Sequence, residues 1–194
     1  MASYTKIPKI CIGLPSGGLI RAETVACLVD AVLHTPSVIF NLQVQIGSLV
    51  HENREEIARK ALAQKATYLM FIDSDIIFPA NAVSILLSRK KPIIGVNYNY
   101  RRLPAASTVK LLSHKTSQNP LEPFQVRAVG LGFTLIQTQV FEQIPRPWFF
   151  FKPGQKSGEF VGEDVWFCER AREHGVKVWC DPTVKVGHIG TWVY

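Results

Sequence analysis

With 194 residues, 47% of them hydrophobic and 19% charged, the chain has the composition of one globular domain able to bury a core without disulfide or metal staples, and it is too apolar to be intrinsically disordered. No apolar run approaches the roughly 18–20 residues of a membrane span, and the N-terminal MASYTKIPKICIG has no apolar core before a small-residue cleavage site, so no membrane partner and no secretory signal are expected. The net charge of +7 is concentrated: between Ile76 and Phe141 eight cations (Arg89, Lys90, Lys91, Arg101, Arg102, Lys110, Lys115 and Arg127) stand against one acid, Glu122. That segment suggests either a polyanionic partner or a solvated face that keeps the protein soluble.

In chain order, Lys9–Leu14 is a short apolar run that stops at Pro15-Ser16-Gly17-Gly18. Ala22–Leu33 has apolar residues at helical spacing, Val38–Ile46 reads as a second strand, and Val50–Gln64 as a helix with Val50, Ile57, Ala58, Ala61 and Leu62 on one stripe. Thr67–Ile72 is apolar on both faces, as in a central parallel strand covered by helices. Pro79 is expected to open a helix to about Ser88, and Pro92–Val96 forms a fourth strand. This alternation predicts an α/β sandwich with a mostly parallel sheet. Beyond it, 102–122 lacks periodicity and reads as a hairpin or surface loop, and Gln125–Gln137 as a strand interrupted by Gly130 and Gly132. Pro145–Glu159 holds the cluster Trp148-Phe149-Phe150-Phe151; a last helix spans Glu163–His174, stopped by Gly175, and Val176–Trp179 and Thr183–Val186 read as short strands. Cys11, Cys27, Cys168 and Cys180 show no CxxC pair and sit among apolar neighbours, which predicts reduced buried thiols in a cytoplasmic protein.

The strongest chemical signal is Tyr68-Leu-Met-Phe-Ile-Asp73-Ser74-Asp75. A buried strand delivers two carboxylates at its C-terminal end, where ligands bind in open α/β sheets. Two apart, they are expected to point the same way and to repel unless a proton or a cation relieves them. Mn²⁺ or Mg²⁺ bridging phosphate oxygens is the natural partner; helix capping is the alternative, but Pro79 puts the cap too far on.

Asp73-Ser74-Asp75 resembles the DxD motif of GT-A fold glycosyltransferases, which holds a divalent metal against the diphosphate of a nucleotide-sugar. Gly162-Glu163-Asp164-Val165-Trp166-Phe167 is similar to the Glu-Asp pair these enzymes carry at a late helix start, and Asp181-Pro-Thr-Val-Lys-Val-Gly-His188 to their C-terminal strand ending in a metal-ligating His. The resemblance covers nearly the whole chain and implies a single GT-A (Rossmann-like) domain over residues 1–194. It implies a metal held by Asp73, Asp75 and His188, a nucleotide-sugar donor (a UDP-sugar foremost), and Asp164, beside Glu163, as general base for an acceptor hydroxyl. The bland counterparts are a favourable pair of acids at a helix start and a surface histidine.

Other positions carry softer expectations. Pro15-Ser16-Gly17 follows the first strand, where GT-A enzymes seat the nucleotide; otherwise it is a plain turn. Arg54 falls on the apolar stripe of its helix, so its head either reaches a phosphate or carboxylate or snorkels to solvent. Gly130 and Gly132 mark a bulge or let the backbone approach a sugar or acceptor. The Pro145–Glu159 segment resembles a lid whose aromatics, Trp148 among them, either stack on a ligand or simply pack. A basic enzyme of this type resembles viral glycosyltransferases that modify hydroxymethylated bases in duplex DNA. On that reading Arg101 and Arg102, with Arg89, Lys90, Lys91, Lys110 and Lys115, contact phosphates. The alternatives are a sugar or protein acceptor, a nucleotidyltransferase, a phosphoryl transferase of the haloacid dehalogenase kind, and a non-catalytic nucleic-acid binder. Ile77, where the dehalogenase pattern wants Thr or Val, argues against that class.

Overall fold

A seven-stranded sheet forms the centre of the computed structural model, which describes residues 7–101, 104, 106–113, 121–154 and 158–190. In chain order its elements are β1 (Lys9–Ser16), α1 (Ala22–Leu33), β2 (Ile39–Ile46), α2 (Val50–Ala63), β3 (Tyr68–Ile72), β4 (Ile76–Ile77), α3 (Ala82–Ser88) and β5 (Ile93–Val96). Then follow β6 (Phe124–Val126), β7 (Phe133–Gln137), α4 (Gln139–Gln143), β8 (Lys152–Pro153), β9 (Phe160–Val161), α5 (Glu163–Glu173), β10 (Val178–Asp181) and β11 (Gly187–His188). The sheet order is β2-β1-β3-β7-β5-β10-β6, with β7 and the edge strand β6 antiparallel to their neighbours. Two small pairs, β11 with β4 and β8 with β9, lie outside it.

β3 divides the core as its sequence predicts. Leu69 and Phe71 join one layer, with Ile57, Ala58 and Ala61 of α2 and Phe167, Cys168 and Ala171 of α5. Met70 and Ile72 join the other, with Leu28 and Ala31 of α1 and Ala82, Val83 and Leu86 of α3. α1 is pinned toward the β3 end of that layer: the Arg21 N–H and the Thr24 hydroxyl donate to the Ser74 carbonyl, at 2.8 and 3.3 Å, and the Phe78 N–H to Cys27 Sγ.

Several boundaries differ from the expected ones. β1 runs two residues further, because Pro15 and Ser16 stay in register with Gln45 and Ile46 of β2. α3 begins at Ala82 rather than Pro79, whose carbonyl closes a turn onto the Ala82 N–H at 2.9 Å. The run 125–137 is two strands that pair with different neighbours, β6 with β10 and β7 with β3 and β5. Residues 183–186 form no strand; the pairing falls on Gly187 and His188 instead. The four cysteines are free, and burial raises the Cys11 thiol to about 11 and the Cys168 and Cys180 thiols to about 12. Among the described residues no helix is long and apolar enough to cross a membrane.

Candidate active site

The C-terminal ends of β3 and β5, the start of α2 and the start of α5 surround a cavity of about 570 Å³. Arg54, Asp73, Tyr98, Glu163, Asp164 and His188 all line it. Arg54, on the inner stripe of α2, is 3% exposed. It donates from Nη2 to Asp73 Oδ1 at 2.8 Å, from Nε to Glu163 Oε1 at 3.2 Å and from Nη1 to the Leu131 carbonyl at 3.4 Å. Its guanidinium also lies 5.0 Å from the centre of the Phe71 ring. Burial alone would lower its pKa, but Asp73 and Glu163 outweigh that and hold the charge firmly. The snorkelling alternative is thus excluded, and the partners are carboxylates of the protein itself.

The two aspartates of the DxD turn part company. β3 ends at Ile72, so the alternation of a strand does not govern Asp73 and Asp75. Asp73 turns to Arg54, whereas Asp75, 9% exposed, receives Arg101 Nη1 on Oδ2 at 2.6 Å and faces His188 Nε2 from Oδ1 at 3.2 Å. Burial works against the Asp75 charge, but His188 and Arg101 bring its pKa below the ordinary value; His188 is raised in turn by Asp75 against its own burial. The expected trio of Asp73, Asp75 and His188 is therefore a pair: among the described residues no three His, Cys, Asp or Glu side chains gather closely enough to hold a metal ion.

His188 reaches this position because β11 pairs with β4, directly after the DxD turn, and the Ile189 N–H donates to the Asp75 carbonyl at 2.8 Å. Its two ring nitrogens both face oxygens, Nδ1 the Asn99 carbonyl at 3.0 Å and Nε2 Asp75. A neutral ring carries only one N–H. With that proton on Nδ1, the Nε2 lone pair points at a carboxylate, an arrangement that a second proton or a cation relieves.

α5 starts after Gly162, which offers no side-chain cap. Glu163 is tied to Arg54, and Asp164 stands in the cavity wall with Oδ1 accepting the Val165 N–H at 2.7 Å. Burial, reinforced by the neighbouring Glu163, raises the Asp164 carboxyl to about 6, into the range of a working base.

Other expected site residues have different roles. Gly130 and Gly132 do permit a close approach, but by Tyr98: a Cβ at 132 would press on the Tyr98 hydroxyl and stand 2.7 Å from Asp73 Oδ2. That hydroxyl accepts the Gly132 N–H at 2.8 Å. Sequence reading missed Tyr98; its only signal is a polar-tipped aromatic just past an apolar strand. Trp148 is 6% exposed, and its indole N–H donates to the Phe141 and Ile144 carbonyls, so it packs in the core and offers no face to an acceptor. Of the aromatic cluster, Phe151 is the ring that lines the cavity. The Ser16 hydroxyl donates to the Leu19 carbonyl and accepts the Gly18 N–H, which closes the turn after β1; Pro15, Ser16, Gly17 and Ser74 lie outside the cavity lining.

Among the described residues, five cations of the basic segment are engaged within the chain. Arg89 is held by Asp181, Arg101 by Asp75 and Arg127 by Glu169. Lys91 sits on the Trp179 ring at 3.9 Å and Lys110 near the Tyr100 ring at 5.7 Å. Arg102 and Lys115 lie outside the described residues.

No protein-family profile matches the chain, and no curated protein does. Its fold is similar to that of A197 from STIV, with a TM-score of 0.66 at 21% identity over 95% of this chain and 86% of that one. It is also similar to GalNAc-T7, solved with UDP, GalNAc and Mn²⁺ (TM-score 0.54, 12% identity, 96% of this chain and 44% of that one). A third likeness is to S. aureus TarS 1–349 in complex with UDP-GlcNAc (TM-score 0.51, 9% identity, 96% of this chain and 60% of that one). The chain thus spans about half the length of the last two. Together with the strand order, these likenesses define the fold as a GT-A-like Rossmann α/β sandwich, the fold of GT-A glycosyltransferases.

Proposed function

We propose that the chain is a nucleotide-sugar glycosyltransferase that moves a sugar from a nucleoside diphosphate to an acceptor hydroxyl. The observation that carries this reading is the convergence of the DxD turn, the start of α5 and His188 on one cavity of a GT-A fold. The solved neighbours holding UDP or UDP-GlcNAc support a UDP-sugar as donor. Asp164 removes the proton of the acceptor hydroxyl, the freed oxygen attacks the anomeric carbon, and the sugar–phosphate bond breaks to release the nucleoside diphosphate. Arg54 keeps Asp73 and Glu163 fixed and neutralised around that base. The end of β1 and the residue after it, Pro15–Gly17, are the seat proposed for the nucleoside.

Asp75 and His188 fit a divalent ion: one hard oxygen, one imidazole nitrogen facing it, free to ligate when the ring proton is on Nδ1, and the Asn99 carbonyl, which orients the ring. A two-residue set suffices for an ion of the Mg²⁺ or Mn²⁺ type that takes its other ligands from phosphates and water. Bound there, the ion would neutralise the leaving diphosphate. For the acceptor, the basic segment first suggests a 5-hydroxymethylpyrimidine in DNA; with Arg89, Arg101 and Arg127 already paired, a sugar or protein hydroxyl is better supported.

Calorimetric titration of UDP-sugars with Mn²⁺, with EDTA, and with the Asp75→Ala protein tests the reading. Binding should require the ion and be lost in the variant while the fold persists. Equal binding in all three would remove the metal from the scheme, and no binding of any nucleotide-sugar would remove the function.

A further inference from the structure

β2 is the edge of the sheet, and among the described residues no strand pairs with its outer side. Edge strands are normally blunted by charge, proline, bulges or shortness. β2 has none of these: Ile39-Phe-Asn-Leu-Gln-Val-Gln-Ile46 is eight residues long, uncharged and without Pro or Gly. The Ile39 and Gly47 N–H groups donate to Pro8 and Ser16 of the β1 side. By alternation, the N–H and C=O groups of Phe40, Leu42, Val44 and Ile46 point away from the sheet.

These outward residues share a face with an uncovered patch. Leu42, Val44 and Ile46 are 53%, 39% and 65% exposed. α1 leaves them bare because Thr24 and Cys27 pin it toward β3 and β4. At 100° per residue, Val25, Val29 and Val32 lie on the side of α1 opposite Cys27, the β2 side, and they are 45%, 53% and 38% exposed.

We infer that β2 is a homodimer interface, pairing antiparallel with β2 of a second copy about a twofold axis through Gln43. The occupant follows from the strand's own pattern. Residues 40–46 read apolar, amide, apolar, amide, apolar, amide, apolar, the same in both directions from Gln43. Antiparallel pairing about that residue sets Leu42 opposite Val44 and Phe40 opposite Ile46 of the second copy, apolar on apolar. On the other face it sets Asn41 opposite Gln45 and Gln43 opposite itself, amide on amide. The four outward-pointing residues all fall at hydrogen-bonded positions in this register. No charge lies on the strand, so no like charges meet across the axis, and each copy presents the same patch, as a twofold interface requires. Covering the strand and the exposed halves of the six aliphatic side chains on both copies comes to roughly 1,000 Å² in total, the lower bound for a specific interface.

Sedimentation velocity over a concentration series tests this with variants that read the register. The wild type should dimerise reversibly; Leu42→Glu and Val44→Lys should each abolish the dimer, and the double variant, which sets the new acid opposite the new base, should restore it. Gln43→Cys should form a disulfide-linked dimer on mild oxidation, since directly opposed non-hydrogen-bonded residues stand about 4.5 Å apart at Cα. Asn41→Cys and the wild type should not. A wild type that stays monomeric throughout overturns the inference, as does a dimer indifferent to both single substitutions. A folded double variant that remains monomeric, or cross-linking no better at 43 than at 41, overturns this register and the interface with it.

Discussion

Asp164, in the first turn of α5, is the proposed general base, and its surroundings suit that role. Its carboxylate accepts the N–H of the next residue, and burial beside Glu163 raises it to about 6. Turnover should therefore rise with pH through an apparent pKa of about 6 and level off above it. Asp164→Asn should lower kcat by roughly 10²–10⁴-fold above that pH and remove the inflection, with donor affinity unchanged. Stability has the opposite sense. A raised carboxyl favours the folded state fully only below the ordinary carboxylate pKa, and that contribution is lost as pH rises from about 4 through about 6. Asp164→Asn should thus raise the melting temperature above pH 6 and change it little at pH 4. Unchanged turnover with a lowered melting temperature would return Asp164 to a structural role. Asp73, Asp75, Asp164 and His188 were legible in the sequence because each sits where a strand or helix begins or ends, and such positions are visible as patterns. Their pairing was not legible: Asp73 and Asp75 lie past the end of β3, where side chains no longer alternate, and Tyr98 acts through a contact with Gly132, distant in sequence.

Three elements meet at one side chain. Arg54 joins α2 to the end of β3 through Asp73 and to the start of α5 through Glu163, so it fixes where the DxD turn and the start of α5, with the proposed base Asp164, stand relative to each other. Removing one member of a buried pair leaves an uncompensated charge, a loss of about 3–5 kcal/mol. Arg54→Met should accordingly lower the melting temperature by roughly 10 °C, at about 2–4 °C per kcal/mol for a chain of this size. Arg54→Lys should recover little, because one ammonium cannot reproduce the fork. In Arg54→Met, adding Asp73→Asn and Glu163→Gln should restore part of the stability, since the stranded charges are then gone. A thermal melt of Arg54→Met that overlays the wild type would show that the clasp holds nothing. β1, β2, β3 and β5 and the helices between them were readable as periodic runs, and the double-sided apolarity of β3 placed it at the centre. β7 was harder: a strand of five residues, three of them apolar, carries no mark of direction, and its insertion antiparallel between β3 and β5 follows from where the chain arrives after residue 132. The β4–β11 pair is two residues long on each side, too short for any period to announce it.

Across the whole molecule, charge clustered in sequence is dispersed in space. The eight cations between Ile76 and Phe141 have one acid among them in sequence, but Arg89, Arg101 and Arg127 find Asp181, Asp75 and Glu169 from outside the segment. The neutrality of the remaining chain is thus partly made of acids that serve this segment, which a count along the sequence cannot reveal. Arg101 is engaged at the site itself, where it covers the oxygen of Asp75 that His188 does not face. A surface pair such as Arg127–Glu169 holds with at most about 1 kcal/mol, so phosphates could compete for it, but the acid would then be left beside the polyanion. Duplex DNA binding should follow: if all eight cations neutralised phosphates, log K would fall with log salt at a slope of about −7, whereas with three arginines committed it should be no steeper than about −4.5. Fluorescence anisotropy of a duplex across a salt series measures the slope directly, and the same titration with hydroxymethylcytosine in the duplex shows whether the base matters. We expect weak binding, a shallow slope and no preference for the modified base. A slope near −7, together with a sugar-sized mass increase on the modified nucleoside after incubation with UDP-sugars and Mn²⁺, would mean that the arginines leave their carboxylates for the DNA backbone, and the acceptor would then be the polyanion.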